Sequence, residues 1–412
     1  MDTLPSTHYH TPLVTNFIRE AQGKPKIDLS PAALIADARR QTGLEHFGDE
    51  SFLPAMETLL QAIEEEADLN PFGRFIAHTR TVRSLCNRLW ADACFEARKE
   101  IQARRIPAPI IVVGPHRSGT TRLQHMLACD KRLQFLTAWE GSNPAPRPGQ
   151  PDQGRQARYE EVVKGLAARE PMYPGAFVAH PIKADWPEEE MLLLNHSFCG
   201  FPPLGLYHVP SYYRWFLEGD KTFGYQYMAD LMKLISDDRG EPEEKRWILK
   251  NPQHLLDLDI LLKVFPDAKL VFTHRDPIKT VGSIMSLVWF YAVQHTDRPC
   301  RGHIRDVWLD FCEQMARRSI EARAGIPASQ QIDVYYHDMN HDWRGQMKRI
   351  YDFAGLEFTP EVEAAQAAWL QASESQHGQH RYNLEDFGTN AAEVDERMMF
   401  ARKHYDIPYE GR

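Results

Sequence analysis

The chain of 412 residues has no apolar run long enough to span a bilayer. Its longest notable one, Leu287 to Val293, falls far short of the roughly 20 residues that a membrane helix needs. Its six cysteines (Cys86, Cys94, Cys129, Cys199, Cys300 and Cys312) never form a C-x-x-C pair, and its 18 histidines show no H-E-x-x-H spacing. Scattered reduced thiols are therefore expected, with neither a zinc or disulfide framework nor a bound metal. A surplus of positive charge is missing too. A net charge of −9 argues against a broad nucleic-acid surface or an anionic membrane as partner. The opening residues Met1-Asp2-Thr3-Leu4-Pro5-Ser6 carry neither the basic nor the apolar part of a secretory signal, so a cytoplasmic location is expected. What is present is the composition of an ordinary soluble globular protein, 43% hydrophobic and 25% charged.

The most informative stretch runs from Pro109 to Arg122. A β-branched run, Ile110-Ile111-Val112-Val113, empties into Gly114-Pro115-His116-Arg117-Ser118-Gly119-Thr120-Thr121. Leu123, Met126 and Leu127 follow at helical spacing. Strand, Gly-bounded loop and helix N-terminus together make a phosphate-sized anion site. The loop resembles G-x-x-x-x-G-K-[ST], with one residue lacking: Thr120 stands where the lysine belongs, and the cation is Arg117 inside the loop. Without that lysine, the charge that reaches the β- and γ-phosphates of a triphosphate is gone. The loop therefore implies a nucleotide, and the missing lysine argues against a triphosphate.

The length exceeds what one core usually supports, so a large domain with a helical addition is expected. Residues 1–30 read as an irregular arm. Helical stripes follow (Leu53, Met56, Leu59, Leu60, Ile63; then Val82, Leu85, Cys86, Leu89, Trp90), making 1–105 an N-terminal arm and helical region. From 106 to 412 strands alternate with helices. The strands are expected at Ile110, at Trp247-Ile248-Leu249, at Leu270-Val271-Phe272 and from Ile332 to Tyr336. This pattern predicts an α/β, P-loop-like, three-layer fold around a mostly parallel sheet. A helical insertion at about 142–240 opens with a Pro-rich loop, 142–154, placed to cover a pocket. Its aromatics, among them Phe177, Trp186, Phe198, Phe201, Tyr207, Tyr212, Tyr213, Trp215 and Phe216, suit either a hydrophobic or aromatic acceptor or a helical core.

A second anion site follows the strand at Leu270: Arg275 in Thr273-His274-Arg275-Asp276-Pro277, with Ser283 eight residues on. An arginine at the carboxyl end of a parallel strand stands at the mouth of the sheet, where ligands of such folds bind. Two anion sites on one sheet suit a nucleotide phosphorylated at two places. The pair P-x-R-S-G-T-T and R-D-P-x-x-x-x-x-S resembles the sulfotransferases that use 3′-phosphoadenosine-5′-phosphosulfate (PAPS). Further stretches agree, including Leu249-Lys250-Asn251-Pro252-Gln253-His254, Tyr336-His337-Asp338-Met339 and Tyr382-Asn383-Leu384-Glu385-Asp386-Phe387-Gly388. The likeness runs from about residue 31 to 390.

The resemblance implies an enzyme with PAPS as donor, adenosine 3′,5′-bisphosphate (PAP) as product and no metal. Its partner is a small-molecule acceptor, and a homodimer is an allowed assembly. Arg117, Ser118, Gly119, Thr120 and Thr121 would hold the 5′-phosphosulfate, and Arg275 and Ser283 the 3′-phosphate. Tyr336 and Arg381 are further candidates for the nucleotide. Lys250 falls where the family carries a catalytic lysine. For the general base that an acceptor hydroxyl requires, Glu140 matches the glutamate of the protein-tyrosine branch. His254 and His196 are the alternatives. Two rival readings are a P-loop kinase, which would need the absent lysine, and a nucleotide-binding protein without catalysis.

Overall fold

A computed structural model describes residues 9–147, 154–373 and 382–410. Five strands form one sheet: β1 Ile110–Val113, β2 Leu133–Phe135, β3 Arg246–Lys250, β4 Lys269–His274 and β5 Gln331–Tyr335. Their order is β2-β3-β1-β4-β5, and every pairing is parallel. Residues Ile110 to Val113 are all fully buried, as a β-branched run must be in a parallel sheet covered on both faces.

Alternation along each strand sends side chains to two cores. On one face Ile111, Val113, Leu249, Leu270 and Phe272 join a large cluster that includes Leu34, Phe52, Leu60 and Leu85 of the N-terminal helices. On the other, Ile110, Val112, Ile248, Val271 and Val334 pack against Met126, Leu127, Met347 and Ile350. The result is the helix–sheet–helix layering expected from the alternation of elements. The N-terminal helices Pro31–Thr42, Leu53–Glu66 and Pro71–Ala97 thus share a core with the sheet. Among the described residues, no helix is long and apolar enough to cross a membrane.

The structure departs from the sequence expectations at several elements. The helix Pro12–Ala21 lies inside the stretch read as an irregular arm. Thr11 caps it, and Val14, Phe17 and Ile18 pack with Phe72 and Tyr173. Strand β2 was missed because Leu133-Gln134-Phe135 is short and lacks β-branched residues. Its central Gln134 is nonetheless buried and donates to the Lys245 carbonyl at 2.8 Å. Strand β5 stops at Tyr335, and Tyr336 opens the helix Tyr336–His341. The long helices Arg301–Arg323 and Ala391–His404 had no counterpart in the sequence reading. Of the Pro-rich loop, residues 148–153 lie outside the described residues.

Strand register places the site. Val112 pairs with Lys250 and Val113 with Phe272, so β1, β3 and β4 end close together. The chain leaves β1 for the β2 edge, returns through β3, and then adds β4 on the other side of β1. Loops diverge at that reversal and leave a crevice at the carboxyl ends of the strands.

Candidate active site

A cavity of about 900 Å³ opens in this crevice. The loop after β1 forms one wall. Gly114 is there because a Cβ would come within 1.9 Å of the Thr273 hydroxyl. Gly119 has φ +90° and would push a Cβ to 2.9 Å from the Tyr336 ring. Between them Arg117 takes φ +67°, an unusual backbone for a residue with a side chain, as found where a site dictates the geometry. Ser118 locks the turn through its hydroxyl, 2.7 Å from the Pro115 carbonyl and 2.6 Å from Thr273 Oγ1. The helix Thr120–Ala128 starts at the cavity wall, where its first N–H groups lack intrahelical acceptors.

Two guanidinium groups stand beside that helix start. Arg117 Nε donates to Ser283 Oγ at 3.1 Å, and Arg275 Nη1 donates to the Arg117 carbonyl at 2.9 Å. Arg275 stacks on the Tyr336 ring, 3.9 Å from its centroid. Burial first, and the like charge of Arg275 second, push the Arg117 pKa down. For Arg275 burial acts in the same direction, but its hydrogen bonds to the Glu410 carboxylate outweigh it and the pKa rises. Sites separated by more than a hundred residues, Arg117 with Arg275 and Ser283, are thereby brought into direct contact. Thr120, Thr121 and Tyr336 line the same cavity. Arg381 lies outside the described residues.

Lys250 ends β3 at 1% exposure. Its ammonium contacts the Glu189 carboxylate and lies 3.4 Å from Thr121 Oγ1. Glu189 lines the cavity, as does Glu188. Burial alone would raise the Glu188 pKa. The hydrogen bond and charge of His180, the Lys250 charge and the Glu189 N–H reverse that and bring it to about 2. Glu190, fully buried, accepts from the Lys250 backbone N–H at 2.9 Å and fixes the end of the strand. The sequence reading missed this trio. Pro187-Glu188-Glu189-Glu190 looks like acidic residues ahead of a short apolar helix, and only its burial distinguishes it.

The two leading base candidates, Glu140 and His254, lie off the cavity wall. Glu140 is held by Arg239 through both carboxylate oxygens, receives the Thr137 hydroxyl at 2.6 Å, and lies 3.4 Å from Arg155. Burial raises its pKa, yet Arg239 and Thr137 prevail and hold it below the ordinary carboxylate range. The cavity wall takes Ala138 and Ser142 from the helix Ala138–Ser142, but not Glu140. His254 is fully buried between Glu190 Oε1 at 2.7 Å and Tyr225 Oη at 2.9 Å, off the cavity wall. His196 lines a small side cavity, with its Nε2 3.0 Å from the Gly141 carbonyl. The aromatic wall is mostly core: Tyr212 and Phe216 are fully buried, and Phe201 is the one of those named that faces the main cavity.

Fold and site define a P-loop-like α/β protein with two guanidinium groups on one cavity, both beside a helix N-terminus. Residues 109–360 match the profile of the Sulfotransferase family, and the chain belongs to that family. Its members are sulfotransferases, and this chain is accordingly an enzyme of sulfuryl transfer. Among solved structures it is similar to the sulfotransferase STF1 of Mycobacterium tuberculosis. The two are 30% identical, with a TM-score of 0.76 over 89% of this chain and 98% of that one. The fold also matches the sulfotransferase STF9 of Mycobacterium avium, at 24% identity and a TM-score of 0.81, covering 95% of this chain and all of that one. A curated relative, the omega-hydroxy-beta-dihydromenaquinone-9 sulfotransferase Stf3 of Mycobacterium bovis, is 23% identical over 300 residues. That match spans 66% of this chain and 68% of the relative.

Proposed function

We propose that the enzyme moves the sulfuryl group of PAPS to a hydroxyl of a small, largely apolar acceptor and releases PAP. The observation that carries this reading is the convergence of two cationic sites, Arg117 at the helix start and Arg275 at the end of β4, on one cavity. The N–H groups of Ser118 to Thr121 and the two threonine hydroxyls cradle the 5′-phosphate. Arg275 and Ser283 take the 3′-phosphate. Gly114 and Gly119 let the loop close on Thr273 and on the Tyr336 ring, which leaves Gly119, Thr120 and Thr121 facing the cavity.

In-line transfer breaks the sulfur–oxygen bond to the donor's 5′-phosphate as the bond to the acceptor oxygen forms. The electron pair stays on the phosphate oxygen, where Arg117 and Lys250 neutralise it. Lys250 must leave Glu189 to do so, and Glu189 is then free to accept the acceptor's proton. Glu189 replaces Glu140 and His254 as the base in this mechanism. Leu166, Leu206, Leu287, Val288 and Trp308 supply apolar wall for the acceptor. The named substrate of the Stf3 relative, a hydroxylated menaquinone, agrees with an apolar alcohol. All six cysteines are free, which suits the reducing cytoplasm.

Calorimetric titration with PAP, ADP and Mg·ATP tests the donor. Tight PAP binding without magnesium supports the reading, whereas preference for Mg·ATP would transfer the enzyme to the kinases. An acceptor screen with labelled PAPS then tests transfer itself.

A further inference from the structure

Three arginines near the acceptor side of the cavity meet no side-chain partner among the described residues. Arg80 projects from the helix Pro71–Ala97 and Arg169 ends the helix Gly154–Arg169. Both line the main cavity where it meets a side cavity of about 80 Å³, and Arg83 lines that side cavity. No loop residue from Gly114 to Thr121 borders the side cavity. Among the described residues, no carboxylate pairs with Arg80, Arg83 or Arg169, whereas Arg117 and Arg275 are both engaged. Glu161, the acid whose field reaches Arg83, is committed to Arg147 at 2.6 Å.

Part-buried cations of like sign repel one another, and removal from water adds to the cost. Burial, followed by Arg80 and Arg169, pulls the Arg83 pKa down to about 10. Burial and the Arg169 charge act on Arg80 in the same direction. A second, independent sign is Tyr207. It is 7% exposed, lines the side cavity, and its hydroxyl meets no partner. Three guanidinium groups, which only donate, and a phenol O–H without a partner make a donor-rich surface, complementary to an oxygen anion.

We propose that this cluster is an acceptor subsite for an anionic group, so that the natural acceptor is an amphipathic alcohol with an anion joined to its hydroxyl through an apolar body. The inference rests on the sulfotransferase reading for the fate of the hydroxyl, and on the arginine cluster alone for the anion. The hydroxyl end points to Glu189 and Lys250, while Arg80 and Arg169 grip the other end.

Titration of the PAP-loaded enzyme with ω-hydroxy carboxylic acids of roughly 8 to 16 carbons, each beside its diol, tests this, the lengths being chosen for a cavity of about 900 Å³. At least one acid should bind about tenfold more tightly than its diol. The R80Q/R169Q variant should reduce that preference to within about twofold and leave the PAP affinity unchanged. Equal binding of acids and diols, or a preference that survives R80Q/R169Q, overturns the proposal. Ligand-free R80Q gives an independent reading: relief of repulsion should raise Tm, and a lowered Tm would mean that Arg80 has an internal partner and reject the site. R169Q, at a helix end, should raise Tm likewise and serves if R80Q does not fold. Failure of PAP to bind would reject the sulfotransferase reading instead. The acid and diol comparison without nucleotide would then judge the anion site by the same criterion.

Discussion

Glu410 lies against Arg275 as a two-pronged carboxylate, with Nε 2.9 and 3.1 Å from its oxygens and Nη2 at 2.9 Å. The contact is built rather than incidental. The Glu410 N–H donates to Asp276 Oδ2 at 2.9 Å, and Arg402 donates to Asp276 Oδ1 at 2.6 Å. A planar anion thus already occupies the arginine assigned to the 3′-phosphate. Removing that competitor should favour the nucleotide. E410Q is expected to tighten PAP binding by about fivefold, the scale of a part-buried ion pair of about 1 kcal/mol, as read by calorimetry. Weaker PAP binding in E410Q would show that the carboxylate holds Arg275 in place for its ligand.

Lys250 is expected to matter to turnover rather than to nucleotide affinity, because its ammonium rests on Glu189 in the ligand-free enzyme. K250A should lower kcat by about a hundredfold to a thousandfold and change the PAP Kd by less than about threefold. Transfer at an unaltered rate would remove Lys250 from the mechanism.

Glu189 and Glu140 should separate chemistry from stability. E189Q keeps the shape and loses the base, so kcat should drop by about a hundredfold or more. E140Q leaves the part-buried Arg239 without its counter-charge, at a cost of about 3 kcal/mol in unfolding free energy, with kcat of the folded fraction preserved. Urea melts and initial rates on the two variants check both halves. If E140Q were stable but inactive, the base role would return to Glu140.

Acid should unfold the enzyme early. His116, His196 and His295 are buried, and burial brings each pKa from 6.5 down to about 3. Between those values the unfolded chain binds protons that the folded one refuses, so stability falls as the pH drops below 6.5. Asp92 works the other way. Burial, only partly offset by Arg88 and the Gly48 N–H, pushes it up to about 6, and it cancels one of the three below that pH. A net two protons give a loss of about 3 kcal/mol per pH unit below pH 6. Unfolding free energies measured at pH 7, 6 and 5 would contradict this if they were equal.

Motifs carried by neighbouring residues were legible in the sequence. The run Ile110 to Val113, the two glycines bounding the loop and the helix after it are local signals, and each forms as expected. The same holds for Arg275 at a strand end. Strand β2 and the helix Arg301–Arg323 were not legible, since three residues hold no period and a long polar face hides a buried stripe. The choice among candidate bases is not a local signal either. Glu140 and Glu189 are both acids beside short helices, and what separates them is place and partner: Glu140 meets Arg239 off the cavity, whereas Glu189 meets the Lys250 ammonium and lines the cavity wall.

The sequence alone determined the α/β alternation, the anion loop without its lysine, and a second cationic site at a strand end, because backbone propensity and residue spacing act over a few residues. Only the tertiary structure decided that Arg117 touches Ser283, that Glu189 rather than Glu140 faces the cavity, that Glu410 rests on Arg275, and that Arg80 and Arg169 meet no carboxylate among the described residues. Those outcomes depend on which distant charges share one low-dielectric space, a matter of how layers pack and not of what any segment prefers by itself.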